Sequence, residues 1–205
     1  MSSAAVMAVF DTVGARAHAD GSLVRTLAVT STVRGEGTSA IALGTALSFA
    51  AFDSKAPVLL IDANWLHPSL SARAGREAAR GLAECLGEGF SIDRAISATE
   101  RPGLSFLAAG QAGERVPPLG RIAEILAQAH AKYAKVIIDL PPVMVAPSLV
   151  VPWADAADAT YLVVRGGATP VSLSKKAMGE IAGQRPAQIV LNRSRDRSDV
   201  WARLG

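Results

Sequence analysis

The chain has 205 residues, half of them hydrophobic, and its 21 Lys and Arg residues exceed its 18 Asp and Glu residues by only three charges. This length and composition predict one domain with a sizeable buried core. The single cysteine, Cys85, excludes an internal disulfide and a cysteine-cluster metal site. Because the basic residues are scattered rather than clustered, no nucleic-acid partner is expected.

The apolar segments predict a protein without a membrane span. The longest, residues 40–51 and 140–151, are interrupted by Gly, Ser or Pro, and they are shorter than the ~20 residues that a spanning helix needs. The first residues lack the basic flank and apolar run of a secretory signal. We therefore expect a cytoplasmic protein with an N-terminal segment at residues 1–22, a domain at residues 23–195 and a charged C-terminal tail at residues 196–205.

Short apolar runs alternate with helical segments along the domain. Strands are predicted at residues 23–31, 58–62, 104–108, 136–139, 160–164 and 188–191, and helices at residues 39–52, 81–86, 119–132 and 172–182. Segments 68–79 and 110–118 have the composition of loops. Buried strands separated by helices are typical of a parallel sheet covered on both faces. The predicted fold class is α/β, with a doubly wound, mainly parallel β-sheet flanked by helices.

A glycine loop joins the first predicted strand to the first helix. In a loop of the form G-x-x-x-x-G-K-[ST], the glycines turn backbone N–H groups toward phosphates, the lysine neutralises charge and the hydroxyl ligates Mg²⁺. Here Gly35 and Gly37 are present and Ser39 holds the hydroxyl position, but Thr38 occupies the lysine position. The strand-loop-helix order predicts an anion site at the helix N-terminus. The alternative is an ordinary turn that contains two glycines.

Polar side chains also end three of the predicted strands: Asp62, Asp139 and Asn192. In sheets of this kind, ligands bind outside the carboxyl ends of the strands. Two carboxylates beside a glycine loop suit a Mg²⁺-nucleotide site, in which one holds the metal and the other orients a nucleophile. The alternative is that these residues cap helices or form turns.

In this order, the segments resemble the cytoplasmic domain of the bacterial protein-tyrosine kinases of capsule and exopolysaccharide synthesis, a P-loop fold of the deviant Walker type. The resemblance covers about residues 23–195, and its matched segments are residues 28–37, 58–64, 68–70, 81–86, 92–96, 136–143, 162–165 and 189–193. Leu-Ile-Asp-Ala at residues 60–63 and Asp-Leu-Pro-Pro at residues 139–142 distinguish this group from the partitioning and division-site ATPases that share the fold.

The resemblance implies ATP or ADP with Mg²⁺ as cofactors and assigns roles to individual residues. The nucleotide-binding loop would consist of Gly35, Glu36, Gly37, Thr38 and Ser39. Ser39 and Asp139 would hold Mg²⁺, Asp62 and Asp139 would be the catalytic carboxylates with Asp62 as the base, and Asn192 would contact adenine.

Several positions depart from the family pattern. Thr38 replaces the lysine, Ala40 replaces a second hydroxyl residue and Asn64 replaces a second aspartate. Leu66 and His67 stand where arginines are usual. The family's tyrosine-rich tail is missing, since the only tyrosines are Tyr133 and Tyr161, and its N-terminal Glu-x-x-Arg-x-x-Arg helix has no counterpart near residues 7–16.

These departures predict weak nucleotide binding and a degenerate Walker A loop. Loss of the lysine forfeits on the order of 3–5 kcal/mol of phosphate contact. The leading hypothesis is a pseudokinase-like accessory subunit, peripheral to the inner membrane through a membrane polysaccharide co-polymerase, with self-association as a further expected contact. One alternative is an active tyrosine kinase in which a cation such as Arg34 compensates. Another is a partitioning-type P-loop ATPase.

Overall fold

The computed structural model describes residues 24–52, 56–112, 117–183 and 185–192. The predicted N-terminal segment and charged tail lie outside the described residues, as do residues 7–16, where the sequence lacks the family's assembly motif.

A seven-stranded sheet forms the centre of the molecule. Its strands are β1 (Thr26–Ser31), β2 (Val58–Asp62), β3 (Ile96–Ala98), β4 (Leu104–Leu107), β5 (Lys135–Asp139), β6 (Ala159–Arg165) and β7 (Ala187–Asn192). The spatial order is β3-β4-β2-β5-β1-β6-β7. Every neighbouring pair is parallel except β3 and β4, which are antiparallel. This topology confirms the predicted fold class.

The described helices connect these strands and cover the sheet. They are α1 (Thr38–Phe52), α2 (Ser69–Arg73), α3 (Leu82–Gly87), α4 (Ile92–Ala95), α5 (Ile122–His130), α6 (Pro147–Ala156) and α7 (Val171–Ile181), with a 3₁₀ turn at Leu119–Arg121 before α5. All six predicted strands and all four predicted helices are present, with ends shifted by a few residues.

The two faces of the sheet are covered unequally. Residues of α3 to α7 pack on one face around the buried Trp153, whereas the described cover of the other face comes from α1 and, at Leu70, from α2. Strands β1 and β2 are buried along their whole length, as expected of strands in a sheet covered on both faces. Among the described helices, none is both long and apolar enough to cross a lipid bilayer.

Three elements, α2, α6 and β3, were not predicted from the sequence, and α4 was implied only by the resemblance, whose connecting helices match residues 92–96. Helices α2 and α4 have only five and four residues, and the prediction of a loop at residues 68–79 was wrong where α2 forms. Helix α6 contains Pro147 in its first turn and Pro152 farther along. Proline is tolerated in the first turn, but an internal proline breaks the usual helical pattern. Strand β3 has three residues at the sheet edge.

Candidate functional site

The loop at residues 32–37 links the end of β1 to the start of α1. Gly35 and Gly37 have φ angles of +82° and +98°, a backbone region that glycine enters without steric cost. The amide of Ile41 donates to the carbonyl of Gly37 at 3.0 Å, which closes the first turn of α1. The loop therefore has the strand-turn-helix form that exposes a helix N-terminus to an anion.

Glu36 braces this loop from inside the protein. Its side chain is 1% exposed and accepts hydrogen bonds from the amide of Val33 at 2.9 Å and the amide of Arg165 at 3.0 Å. The hydroxyl of Thr169 also donates to it. The carboxylate of Glu36 thus joins the loop to the segment after β6, so its side chain is engaged in structure rather than directed at a ligand.

Asn192 holds the same loop from the end of β7. Its amide nitrogen donates to the carbonyl of Glu36 at 2.7 Å. A Cβ atom on Gly37 would lie 2.2 Å from that nitrogen, so glycine is required there by both φ and close approach. Asn192 does reach the loop, and its contact with adenine remains a prediction.

Thr38 is the first residue of α1, and its side chain is 8% exposed. No cation takes the place of the missing lysine among the described side-chain ion pairs: the carboxylates of Glu36, Asp62 and Asp139 have no ion-pair partner in that part of the chain. Arg34 is exposed in the loop. The described site therefore gathers three buried carboxylates without a paired cation.

Asp62 and Asp139 are register partners at the ends of the neighbouring strands β2 and β5. Both are 0% exposed, but their hydrogen bonding differs. Asp62 accepts from the amide and hydroxyl of Ser71 at 2.9 and 2.8 Å and from the amide of Asn64 at 3.1 Å. Burial raises the pKa of Asp62, and these hydrogen bonds oppose the shift.

Asp139 has neither oxygen in a hydrogen bond of standard geometry with a described residue. Burial raises the pKa of Asp139 to about 8, the nearby Ser39 hydroxyl lowers it and the charge of Asp62 adds to the rise. A buried carboxylate without partners is costly. An oxygen-seeking cation would satisfy it, so this arrangement fits Mg²⁺.

The surroundings of Asp139 resemble a magnesium site that is completed by a ligand. No cluster of three or more His, Cys, Asp or Glu side chains in the described residues could hold a metal by itself. Mg²⁺ commonly uses one or two protein oxygens together with water and phosphate oxygens. The hydroxyl of Ser39, which accepts from the hydroxyl of Ser69 at 3.0 Å, is the second protein oxygen available.

Helix α2 contributes residues that the sequence did not identify. Ser69 contacts Ser39, and Ser71 binds Asp62; the hydroxyl of Ser71 also accepts from the amide of Ala109 at 2.9 Å. The matched Pro-Ser-Leu segment at residues 68–70 was the only sequence signal for this helix. Leu66, at the position of a usual family arginine, is 42% exposed.

Comparison with known proteins places this geometry in context. No family model matches the sequence. The chain is 31% identical over 169 residues to the tyrosine-protein kinase YwqD of Bacillus subtilis, covering 78% of this chain and 67% of the relative. The VpsO kinase domain superposes with a TM-score of 0.80 at 27% identity, covering 93% of this chain and 94% of that one.

A more distant structure shares the fold alone. It is a cobyrinic acid a,c-diamide synthase from Mycobacterium smegmatis with a bound ATP analogue and magnesium, at 18% identity and a TM-score of 0.67, covering 86% of this chain and 78% of the other. Nucleotide and magnesium are therefore bound by at least one protein that has this architecture.

Proposed function

Because this chain belongs to the bacterial tyrosine-protein kinase family, we propose that it is a catalytically degenerate, cytoplasmic accessory subunit of exopolysaccharide or capsule synthesis and export. In this proposal it lies at the inner membrane by docking on the cytoplasmic face of a membrane polysaccharide co-polymerase, and it also self-associates. The observation that carries the proposal is Thr38 at the first residue of α1, where the loop needs a lysine.

Electrostatics supports a weak nucleotide site. A nucleoside triphosphate would approach the carboxylates of Glu36 and Asp62, and neither has a described ion-pair partner. Loss of a lysine contact with the β/γ-phosphates costs on the order of 3–5 kcal/mol, or roughly two to four decades in affinity or rate. The loop backbone and the α1 N-terminus still attract phosphate, so residual binding of ATP or ADP is expected.

Magnesium has a place in this proposal. Ser39 and Asp139 would hold it, and when bound it would neutralise phosphate charge. The Asp62 carboxylate, held by Ser71 and Asn64, would keep a fixed orientation beside it. Its three hydrogen bonds lower the pKa of Asp62, but burial outweighs them and the net pKa is raised, so hydrogen bonding does not by itself make Asp62 a poor base.

An active tyrosine kinase is the second candidate, and one observation favours it. Asp139 is fully buried, and both of its oxygens lack a described hydrogen-bond partner. Such a group destabilises the folded protein unless a bound ligand satisfies it, so its presence favours a ligand-binding role. In this alternative Arg34, exposed in the loop, supplies the missing positive charge.

Isothermal titration of the full chain with Mg²⁺-ATP and Mg²⁺-ADP tests the proposal. We expect weak or undetectable ATP binding by the wild type. Low-micromolar binding of ATP by the wild type that Arg34→Ala abolishes would overturn the proposal in favour of the active enzyme.

A further inference from the structure

A groove separate from the glycine loop lies on the thinly covered face of the sheet. Its volume is about 690 Å³, and it lies between α1, α2 and the strands β3 and β4. Apolar side chains form what we call the groove floor: Leu43, Leu47, Leu60, Leu70, Leu104 and Phe106. Concave apolar sites of this size are typical of binding sites.

Helix α1, one wall of the groove, is apolar on its outer side. Its 15 residues include no charged residue. Ala40 and Ala51 are exposed and Leu43 and Leu47 are half-buried, and their spacing places all four on one stripe of the helix. A helix that is hydrophobic all round is normally buried all round. The outer stripe of α1 is thus suited to a covering partner.

Three arginines border this apolar surface and form what we call the arginine rim. Arg73 and Arg76 come from α2 and the residues after it, and Arg101 comes from the turn between β3 and β4. All three are exposed. Among the described residues, none of the three guanidinium groups has a hydrogen-bond or ion-pair partner. Glu100 adds one opposite charge at this border, so positive charge remains in excess.

We propose that the groove binds a helical segment of a partner protein that carries apolar side chains on one face and carboxylates beside them. The apolar side chains would enter the groove floor and the carboxylates would meet the arginine rim, as in recognition of an amphipathic helix by a groove. A concave site between two elements favours inserted side chains over a flat bilayer surface. The inference goes beyond the proposed function, because it stands whether or not the loop binds nucleotide.

Helix α2 connects the groove to the glycine loop. Leu70 lies in the groove floor, while its neighbours Ser69 and Ser71 contact Ser39 and Asp62. A segment bound in the groove therefore contacts the same short helix that orients the candidate site.

The test uses two fluorescein-labelled synthetic peptides and the full chain. Both peptides have leucine at positions i, i+3, i+4 and i+7, and the remaining positions are glutamate in one and lysine in the other. Fluorescence anisotropy should show saturable binding of the glutamate peptide at concentrations up to about 1 mM and weaker binding of the lysine peptide. The triple variant R73E/R76E/R101E should bind the glutamate peptide about tenfold more weakly and should now prefer the lysine peptide.

Matched variants separate the groove from general charge effects. K175E/K176E/R185E makes the same change of charge at α7 and beyond, and it should bind within about twofold of the wild type. Leu47→Gln places a polar side chain at a half-buried position of the groove floor and should weaken binding of the glutamate peptide without reversing the charge preference. Thermal unfolding checks that each variant folds.

Four results would overturn the proposal. The first is no binding of the glutamate peptide, and the second is equal loss in the rim and control variants. The third is saturable binding of phosphatidylglycerol vesicles that the rim variant abolishes while peptide binding stays unchanged, which would make a lipid surface the occupant. The fourth is a rim-dependent dimer in sedimentation that excludes the peptide, which would make a second copy the occupant.

Discussion

At the scale of single residues, Thr38 leaves the glycine loop without the positive charge that a lysine would supply there. Thr38→Lys restores a cation at the α1 N-terminus and should strengthen ATP binding by roughly two decades if the rest of the loop is intact. Calorimetric titration with Mg²⁺-ATP measures this change. Thr38→Ser, which alters the side chain without adding charge, is the control and should leave the affinity near that of the wild type. An unchanged affinity in the lysine variant would contradict the degenerate-loop explanation.

Asp62 and Asp139 allow a matched comparison of a partnered and an unpartnered buried carboxylate. Asp139→Asn replaces a group whose pKa is raised to about 8 and whose oxygens accept no described hydrogen bond. At pH 7 Asp139 is ionised in the unfolded chain and must bind a proton on folding, so the variant, which does not titrate, should be at least as stable as the wild type. Asp62→Asn disrupts bonds from Ser71 and Asn64 and should cost about 1–3 kcal/mol. Urea denaturation of both variants measures the difference, and a larger loss in Asp139→Asn would refute it.

His130 should make stability depend on pH below neutrality. Burial lowers the pKa of His130, and the charge of Arg25 lowers it further, while the ring contacts the hydroxyl of Thr26 at 2.7 Å. In the unfolded chain, His130 is protonated near pH 6.5, whereas in the native protein it is protonated only at a lower pH. The free energy of unfolding is therefore unaffected by His130 above about pH 6.5 and decreases as the pH falls below that value.

The variant His130→Asn should lose less stability than the wild type between pH 7.5 and 5.5, because asparagine does not titrate. Urea denaturation at both pH values measures this. His67→Asn, at an exposed position, is the control and should follow the wild-type pH dependence. Identical losses in the wild type and His130→Asn would contradict the prediction.

At the scale of elements, the two glycines of the loop have different surroundings. Gly35 and Gly37 both have positive φ, but a Cβ atom meets nothing within 4 Å at Gly35 and lies 2.2 Å from the amide nitrogen of Asn192 at Gly37. Gly35→Ala should therefore cost only the backbone strain of about 1–2 kcal/mol. Gly37→Ala should cost more, because Asn192 must move and its bond to the carbonyl of Glu36 is strained or lost.

Thermal unfolding of the two alanine variants, each alone and combined with Asn192→Ala, measures this difference. Removal of the Asn192 side chain should reduce the extra cost at Gly37 and leave the cost at Gly35 unchanged. Equal costs for the two alanine variants would show that Asn192 does not pack on the loop as described.

The elements that the sequence predicted well have a continuous apolar run or a helical spacing of apolar residues. The buried strand Val58–Asp62 was read directly from its apolar run, and α7 was read from its helical spacing. Helix α6 was missed because Pro152 lies inside it, and β3 was missed because three residues cannot show an alternation. Short elements are stabilised by their neighbours in space, which a local pattern does not report.

At the scale of the whole molecule, the proposed role requires the fold and its docking surfaces more than the metal site. Deletion of this protein should impair polysaccharide output, and complementation with Asp139→Ala should largely restore it. A scaffold does not need the metal-supporting carboxylate, whereas a kinase needs it to stabilise charge during phosphoryl transfer. Polysaccharide assays with immunoblots of expression measure this. Loss of polysaccharide with stable expression of Asp139→Ala would favour the active kinase.

The sequence by itself determined the architecture and the composition of the candidate site. Apolar runs separated by helical segments predicted the parallel sheet, and the positions of Asp62, Asp139 and Asn192 at strand ends predicted that they would lie at the same edge. These properties follow from local patterns, because each strand or helix buries the side that its own residues make apolar. The replacement of the lysine by Thr38 is likewise visible in the sequence alone.

Only the tertiary structure decided what these residues contact. Glu36 is a brace because Thr169, 133 positions away, donates to its carboxylate and Asn192, 156 positions away, donates to its carbonyl. Asp62 and Asp139 look alike in sequence but differ because Ser71 reaches only Asp62. The groove and its arginine rim likewise arise where α1, α2 and β4 meet. Hydrogen bonds and burial depend on distances between side chains that are remote in the chain, so folding alone brings such partners together.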